Sequence, residues 1–468
     1  MGKTCTIHVE DEVHCRIAGL RDEQLEVLWN KFGVFAEGYF HMPAYQLRKW
    51  DGKIRFFDKK SGETFTKLLD EILPYLSSWG YEINLMDKRL PSPHITDQVT
   101  EEFFGLTDFL LRPYQVNVIN TLLHQGSGFA ICATGAGKTS MCAALSLVLF
   151  LNGLQTLIIV PSSDLVTQTV IEFREKLQYY PISIGEYSGS LKDIDHPIVV
   201  GTWQSLQNVP HYMSYFQSVI VDEAHGAKAN VIKDLLDNHG KHISHRYGVT
   251  GTYPKSIPDQ VTLKCSVGKI HCEVGARWLI DNGYLSEVEI EPIETADSAD
   301  LPDYAAERAF LGSCDERIDI IAQLIQDKRD LYGNTFVLVN SIPQGRVLAN
   351  LIPGSIFLSG ESKKGLRQDN YSNFADQDGL IIIASAGIGS TGLSIDRIFC
   401  LFLVDAGKSY IKAIQSVGRG LRKKGDKNKV QVIEVYSKLK FAKKHFKDRK
   451  KYYSEAGYPV LATKKLKY

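Results

Sequence analysis

None of the eight cysteines, at positions 5, 15, 132, 142, 265, 272, 314 and 400, forms a C-x-x-C pair with another. Their scatter argues against a zinc site or a disulfide framework and fits a reducing, cytoplasmic setting. A net charge is also lacking. Lys plus Arg number 54 and Asp plus Glu 54, so overall charge says nothing of an anionic partner. No apolar run approaches the roughly 20 residues that a bilayer span needs. The longest, Ala143 to Leu151, reads as a buried helix. Neither a membrane nor a required protein partner is therefore expected, and no signal peptide is present. Met1-Gly2-Lys3-Thr4-Cys5-Thr6 formally fits a myristoylation pattern, but Thr4 to Val9 alternates as a first β-strand does. No segment is low in complexity and no repeat stands out.

What is present is uneven. From Lys423 to Tyr468 there are fifteen Lys or Arg against four Asp or Glu, whereas residues 1–90 hold thirteen against fourteen. At 468 residues the chain has room for several cores. Residues 1–90 read as a small α/β unit, with alternating Cys5, Ile7 and Val9, a helical Asp22 to Phe32 and a returning helix from Phe65 to Trp79. Asp51-Gly52 is a hairpin-turn signal. Residues 91–110 begin with Pro91-Ser92-Pro93 and read as a linker. Strands and helices alternate over 111–265 and again over 332–468, the pattern of parallel sheets covered by helices. Residues 266–331 read as a bridging segment. The expected fold class is α/β: two parallel-sheet domains behind a small N-terminal domain.

Chemistry concentrates at Cys132-Ala133-Thr134-Gly135-Ala136-Gly137-Lys138-Thr139-Ser140. An apolar strand precedes it and a helix follows, the setting a phosphate-binding loop requires. Glycines let successive N–H groups face phosphate oxygens, the helix N-terminus adds positive potential, and Lys138 supplies an ammonium. Thr139 would place its hydroxyl on Mg2+. Cys132 stands where the usual pattern has its first glycine. The apolar strand Ser218 to Val221 then delivers Asp222-Glu223-Ala224-His225. Asp222 can hold a Mg2+ shell, and Glu223 can orient and deprotonate water. Together these predict binding and hydrolysis of a nucleoside triphosphate.

A longer ordered series surrounds these two motifs. It comprises Leu111-Arg112-Pro113-Tyr114-Gln115, Pro161-Ser162-Ser163-Asp164-Leu165, Gly201-Thr202-Trp203-Gln204, Thr250-Gly251-Thr252, Ser390-Thr391-Gly392-Leu393-Ser394 and Gln415-Ser416-Val417-Gly418-Arg419-Gly420-Leu421-Arg422. The series resembles that of the superfamily 2 helicases and translocases. With Trp50-Asp51-Gly52-Lys53-Ile54-Arg55 ahead of it, the chain is similar to the phage UvsW-type branch-migration helicases. The resemblance implies two RecA-like domains with ATP between them. Arg112, Gln115 and residues 134–140 would bind ATP, and Gln115 has an amide suited to the adenine edge. Lys138, Asp222, Glu223, Gln415, Arg419 and Arg422 would carry out hydrolysis, with the two arginines as fingers on the γ-phosphate. His225, Thr250 and Thr252 would couple the cleft to the nucleic acid. Ser162, Ser163, Thr202, Ser390 and Thr391 would contact its phosphates. At Leu393-Ser394 the chain departs from the charged residue and glycine of many family members.

The expected activity is ATP-dependent, Mg2+-requiring work on branched or duplex DNA in repair, recombination or replication. Single-stranded DNA is a further partner. Two alternatives stand beside it, an RNA helicase and a nucleic-acid clamp without hydrolysis. In the N-terminal unit Trp50, Lys53 and Arg55 suit stacking and phosphate contact, with Tyr39, Phe56 and Phe57 close by. The opposing reading makes these aromatics a core and the cations its wet face. The basic tail carries Leu439, Ala442, Phe446 and Tyr453 at helical spacing, which predicts a terminal helix packed on the second block.

Overall fold

A computed structural model describes residues 3–222, 229–251, 253–285, 287–362, 364–385, 397–406, 429–455 and 457–468. The chain forms two compact units, Met1–Ala133 with Gly137–Glu273, and Thr134–Ala136 with Val274–Tyr468.

The first unit opens with strand β1 (Lys3–Val9), antiparallel to β2 (His14–Ala18) with Ile7 opposite Ile17. After the short β3 (Gly33–Phe35), β4 (Lys53–Arg55) and β5 (Glu63–Phe65), β6 (Tyr81–Asp87) returns parallel to β1. The sheet order is β5-β2-β1-β6. Period-two alternation puts Cys5, Ile7, Val9, Cys15 and Ile17 on one face. There they meet Leu28 of helix Asp22–Lys31 and Ile72 and Leu76 of helix Leu69–Ser78. Phe56 and Phe57 are 3% and 1% exposed. They are core, so for this pair the burial reading holds. Asp51-Gly52 does not close a two-residue hairpin. β3 pairs with β4 across a 17-residue excursion, and Gly52, at φ 82°, turns the chain into β4.

This small sheet shares a core with the rest of its unit. Cys265 and Val261 of helix Ile257–Ser266 join the cluster around Leu68 and Ile72. Lys67 Nζ reaches Ser127 Oγ at 2.5 Å, Lys264 pairs with Glu71, and Glu12 N–H donates to Lys241 O at 3.0 Å.

The larger sheet of the first unit contains β7 (Ser127–Cys132), β8 (Thr156–Val160), β9 (Ile184–Ser188), β10 (Leu191–Lys192), β11 (Ile198–Thr202), β12 (Ser218–Asp222), β13 (His245–Thr250) and β14 (Ile270–Val274). Its order is β10-β9-β11-β8-β12-β13-β7-β14. The strands from β9 through β7 in that order run parallel. Of these, β8, β11 and β12 are near-continuous apolar runs because both faces are covered. Helix Lys138–Leu151 buries nine consecutive residues, Met141 to Leu149. A helix apolar all round belongs inside a fold.

The second unit has a fully parallel sheet of β15 (Glu287–Thr295), β16 (Thr335–Val339), β17 (Ile356–Leu358), β18 (Ile381–Ser385), β19 (Cys400–Val404), β20 (Lys429–Ser437) and β21 (Lys464–Leu466). The order is β17-β18-β16-β19-β20-β15-β21. The segment read as a bridge is thus shared out. It gives β14 to the first sheet, and β15 with helix Asp315–Tyr332 to the second. Helix Lys440–Glu455 buries Ala442, Phe446 and Tyr453, as its stripe predicts.

A buried cation steadies β13. The Arg246 guanidinium donates to the carbonyls of Ile243, Ser266 and Gly240 at 2.7 Å each, and to Leu236 at 3.3 Å. Nearby Asp237 is 1% exposed, and burial pushes its carboxyl up to about 6 against the pull of Ser266, Arg246, Lys233 and His14. A carboxyl raised in the folded state favours folding while protonated. The chain therefore loses stability as pH rises from the ordinary value near 3.8 through 6. Asp237→Asn is expected to match the wild type at pH 4 and to exceed it at pH 8, by on the order of 3 kcal/mol at 1.4 kcal/mol per pH unit. Urea midpoints at the two pH values check this, and an unchanged difference between them would refute it.

Candidate active site

The phosphate loop has the backbone that its glycines imply. β7 ends at Cys132, and helix Lys138–Leu151 begins after Gly137, with Gly135 at φ 84° and Gly137 at φ 76°. A Cβ on Gly137 would lie 2.3 Å from Gln115 Nε2, so the loop backbone and that amide are in close approach. Lys138, Thr139 and Ser140 are half-buried in the first helical turn, where the helix dipole favours an anion. Cys132 is fully buried at an ordinary negative φ, and burial pushes its thiol up to about 12. It behaves as a small apolar residue, and its position does not require glycine.

Gln115 does two things. Its Oε1 accepts from Arg112 N–H at 2.8 Å, capping helix Pro113–Gln125, while its Nε2 faces Gly137. The cap engages the acceptor that the adenine reading gives to the base. Arg112 Nη1 reaches Tyr114 Oη at 3.1 Å.

Register places the remaining groups. Asp222 is level with Val249, and Val249 with Ala130. Strand spacing of about 4.8 Å thus sets Asp222 roughly 10 Å across the sheet from the strand feeding the phosphate loop. Buried Thr250 ends β13, between them. On the other side Thr202 pairs with Val160, so the loops carrying Thr202, Ser162 and Ser163 leave adjacent strands. Gln204 Nε2 joins them by donating to Pro161 O at 3.0 Å. All five positions emerge from the C-terminal ends of parallel strands, where such sheets bind ligands.

Two of the expected phosphate contacts are already in use. Ser162 Oγ accepts from Leu165 N–H at 3.4 Å and Thr202 Oγ1 from Ser205 N–H at 3.3 Å, each capping a helix. Ser163 is exposed. In the N-terminal unit, Trp50 Nε1 donates to Lys53 O at 2.9 Å, and Lys53 Nζ lies 5.0 Å from the Phe35 ring. Arg55 pairs with Asp51 and stacks 3.6 Å over Trp29. That arginine serves its own lobe. Glu223, His225, Thr252, Ser390, Thr391, Gln415, Arg419 and Arg422 lie outside the described residues.

Sequence patterns missed two buried networks at the end of β19. Arg317 grips Asp405 with both Nη atoms, at 2.7 and 2.6 Å, and reaches Asp297 at 3.1 Å. Gln344 also donates to Asp405, which holds a left-handed φ of 51°. Arg449 donates to Ala406 O and pairs with Glu434, whose other oxygen accepts from Tyr453 Oη at 2.6 Å. Both networks clamp the two residues just before the segment that carries Gln415, Arg419 and Arg422. A signal existed: Arg317 falls in line with Ile321 and Ile325, and Arg449 with Phe446 and Tyr453, each a charge on an apolar stripe.

Comparison with known proteins bears on this arrangement. The family described as "Type III restriction enzyme, res subunit" matches residues 108–255. The chain is 25% identical over 471 aligned positions to the ATP-dependent DNA helicase uvsW of Enterobacteria phage T4, covering 95% of this chain and 93% of that one. The chain is thus similar over nearly its whole length to a helicase of superfamily 2. The DNA 3′–5′ helicase XPB of Kineococcus radiotolerans is 23% identical, over 74% of this chain and 63% of its own length. The helicase domain of Hef from Pyrococcus furiosus shares the fold, with a TM-score of 0.52 at 14% identity, covering 72% of this chain and 98% of that one. These helicase relatives imply that the chain uses ATP, binds nucleic acid and hydrolyses the nucleotide under nucleic-acid stimulation. Among its described residues no helix is long and apolar enough to cross a membrane.

Proposed function

We propose that this superfamily 2 motor is an ATP-driven DNA translocase that remodels branched or duplex DNA in repair, recombination or replication. One observation carries the reading. The nucleotide residues at the ends of β7 and β12 and the Ser/Thr loops at the ends of β8 and β11 leave one sheet edge, with Thr250 nearby to register both. DNA as the track is supported by uvsW and XPB, whose names describe DNA helicases.

In this reading Lys138 holds the outer phosphates of ATP. The oxygens of Thr139 and Asp222 suit Mg2+, which takes few protein ligands besides phosphate and water and would screen phosphate charge. The left-handed glycines and the close approach of Gln115 to Gly137 fit such a cradle. Glu223 orients the attacking water and takes its proton, and Gln415, Arg419 and Arg422 offset charge developing on the γ-phosphate. His225, Thr250 and Thr252 pass the nucleotide state to the loops of Ser162, Ser163 and Thr202. With Ser162 and Thr202 capping helices, backbone N–H groups and Ser163 supply the contacts on these loops. Ser390 and Thr391 do the same for the second block, and residues 1–90 choose the substrate.

ATPase rates measured in parallel with single-stranded DNA, linear duplex, a four-way junction and RNA test the proposal. Junction or duplex DNA is expected to stimulate most. Greater stimulation by RNA would make the chain an RNA motor, and absence of turnover with every polymer would leave a clamp. Deleting residues 1–90 is a poor test of substrate choice, because it would bare Val261 and Cys265.

A further inference from the structure

The excursion between β3 and β4 builds a concavity of about 540 Å³, walled by Phe40, Tyr45, Gln46, Arg48, Lys49, Trp50 and Asp51. Its shape is set by contacts within the lobe. Phe35 stacks on Tyr39 at 4.6 Å, and Tyr39 meets Tyr45 edge-on at 4.8 Å. Gln46 Nε2 donates to Phe40 O at 3.3 Å, and the Trp50 indole is tied to Lys53 O. A Cβ on Gly52 would come within 2.6 Å of the Tyr39 ring and 3.2 Å of Tyr45, so only glycine lets these rings close over the turn.

Phe40 is nevertheless 54% exposed. The nearby cations divide sharply. Arg55 is bound to Asp51 and Trp29, and Lys53 leans on Phe35. Arg48 and Lys49 are exposed, and among the described residues no ion pair engages either. Arg48 also holds φ 54°, a left-handed backbone that costs a non-glycine residue energy and recurs where a side chain must be aimed. Of the two acids in this excursion, Asp51 lines the concavity and is paired with Arg55, whereas exposed Glu37 is not part of its wall. The rim therefore sets two cations beside the exposed Phe40 ring, which His41 flanks at 4.1 Å, and the half-buried Tyr45 and Trp50.

We propose that this pocket takes one unpaired nucleotide of a DNA strand, its base against Phe40, Tyr45 and Trp50 and its phosphate on Arg48 and Lys49. Every base presents a π-face, so such a pocket is indifferent to sequence. It does discriminate by structure, because bases stacked within a duplex cannot enter it. It would hold a strand splayed at a fork or junction. The inference rests on the DNA-translocase reading and gives the N-terminal unit a means of recognising branches.

The test uses the full chain with labelled oligo(dT), a forked duplex, a blunt duplex and oligo(rU), without nucleotide. Phe40→Ala should weaken oligo(dT) and fork binding about ten-fold, and leave blunt duplex within two-fold. Lys49→Ala should lower the slope of log affinity against log salt by about 0.7, one phosphate contact on a single strand. Arg48→Gly removes the cation and relieves its backbone. Weaker fork binding with an unchanged or higher melting temperature is therefore expected, and misfolding could not account for it. Unchanged oligo(dT) binding in all three variants would overturn the pocket and leave this exposed face to a protein partner. An equal loss on blunt duplex would reduce it to a general phosphate patch, and preference for oligo(rU) would overturn DNA as the strand. ATPase stimulation by blunt duplex, measured alongside, should survive in each variant. If the wild-type chain itself shows no stimulation by any DNA, the translocase reading fails and the pocket falls with it.

Discussion

Glu223→Gln is expected to bind ATP about as tightly as the wild-type chain while hydrolysing it roughly 10²–10⁴-fold more slowly. The amide keeps the size and polarity of the side chain but cannot accept the proton of the attacking water. In the proposed reading nucleotide binding rests on other groups, the N–H cradle around Gly135 and Gly137 and the ammonium of Lys138 at the helix start. Lys138→Ala should accordingly lose both affinity and rate. The pair separates two failures that a single dead variant would blur. A fluorescent ATP analogue reports binding, and phosphate release with and without duplex DNA reports turnover. Wild-type turnover in Glu223→Gln would remove this residue as the base. Loss of binding in Glu223→Gln, equal to that in Lys138→Ala, would show that the acid serves the nucleotide or its metal ion instead.

Much of the first block was legible because its signals are local. A glycine-rich turn between strand and helix, and acids at the end of an apolar strand, declare themselves within ten residues. The parallel sheet then brings them to one edge, as Asp222, Val249 and Ala130 show by register. Capping was harder to read. Ser162, Thr202 and Gln115 look like ligand groups in sequence, yet each supports a helix start with the atom expected to bind ligand. A hydroxyl after a strand serves both roles, and only the fold shows the cap. The bridge reading of residues 266–331 failed to find β15 for a different reason. Its pairing partner β20 lies about 140 residues away, and alternating Glu287, Glu289 and Glu291 with Pro292 disguise a central strand. In the N-terminal unit the aromatics divided between the two readings. Phe56 and Phe57 went inside, Tyr39 packs between Phe35 and Tyr45, and Trp50 lines the concavity.

Arg317 is where the second unit is most exposed to a single change. Its side chain is fully buried between Asp405 and Asp297, also buried, and Thr295 and Gln344 complete the hydrogen bonding. Burial pushes the Asp297 carboxyl up, but Arg317, with Thr295 and Tyr468, outweighs it and holds the group below its ordinary value. A carboxyl lowered in this way stabilises the fold at neutral pH, and that contribution is lost as pH falls through the depressed value. Arg317→Met keeps the apolar bulk and strands two buried carboxylates. Removing one partner of a buried ion network costs about 3–5 kcal/mol, far more than the net gain from forming it. The loss should be largest near pH 7. It should shrink towards pH 4, because the stranded acids can then take up protons and become neutral. Converting both acids to Asn in the Arg317→Met background should recover most of the deficit. Denaturant unfolding of the full chain at the two pH values measures this. A deficit below about 1 kcal/mol at pH 7 would mean that water or another cation reaches Asp297 and Asp405, and that the anchor at the end of β19 does not depend on Arg317.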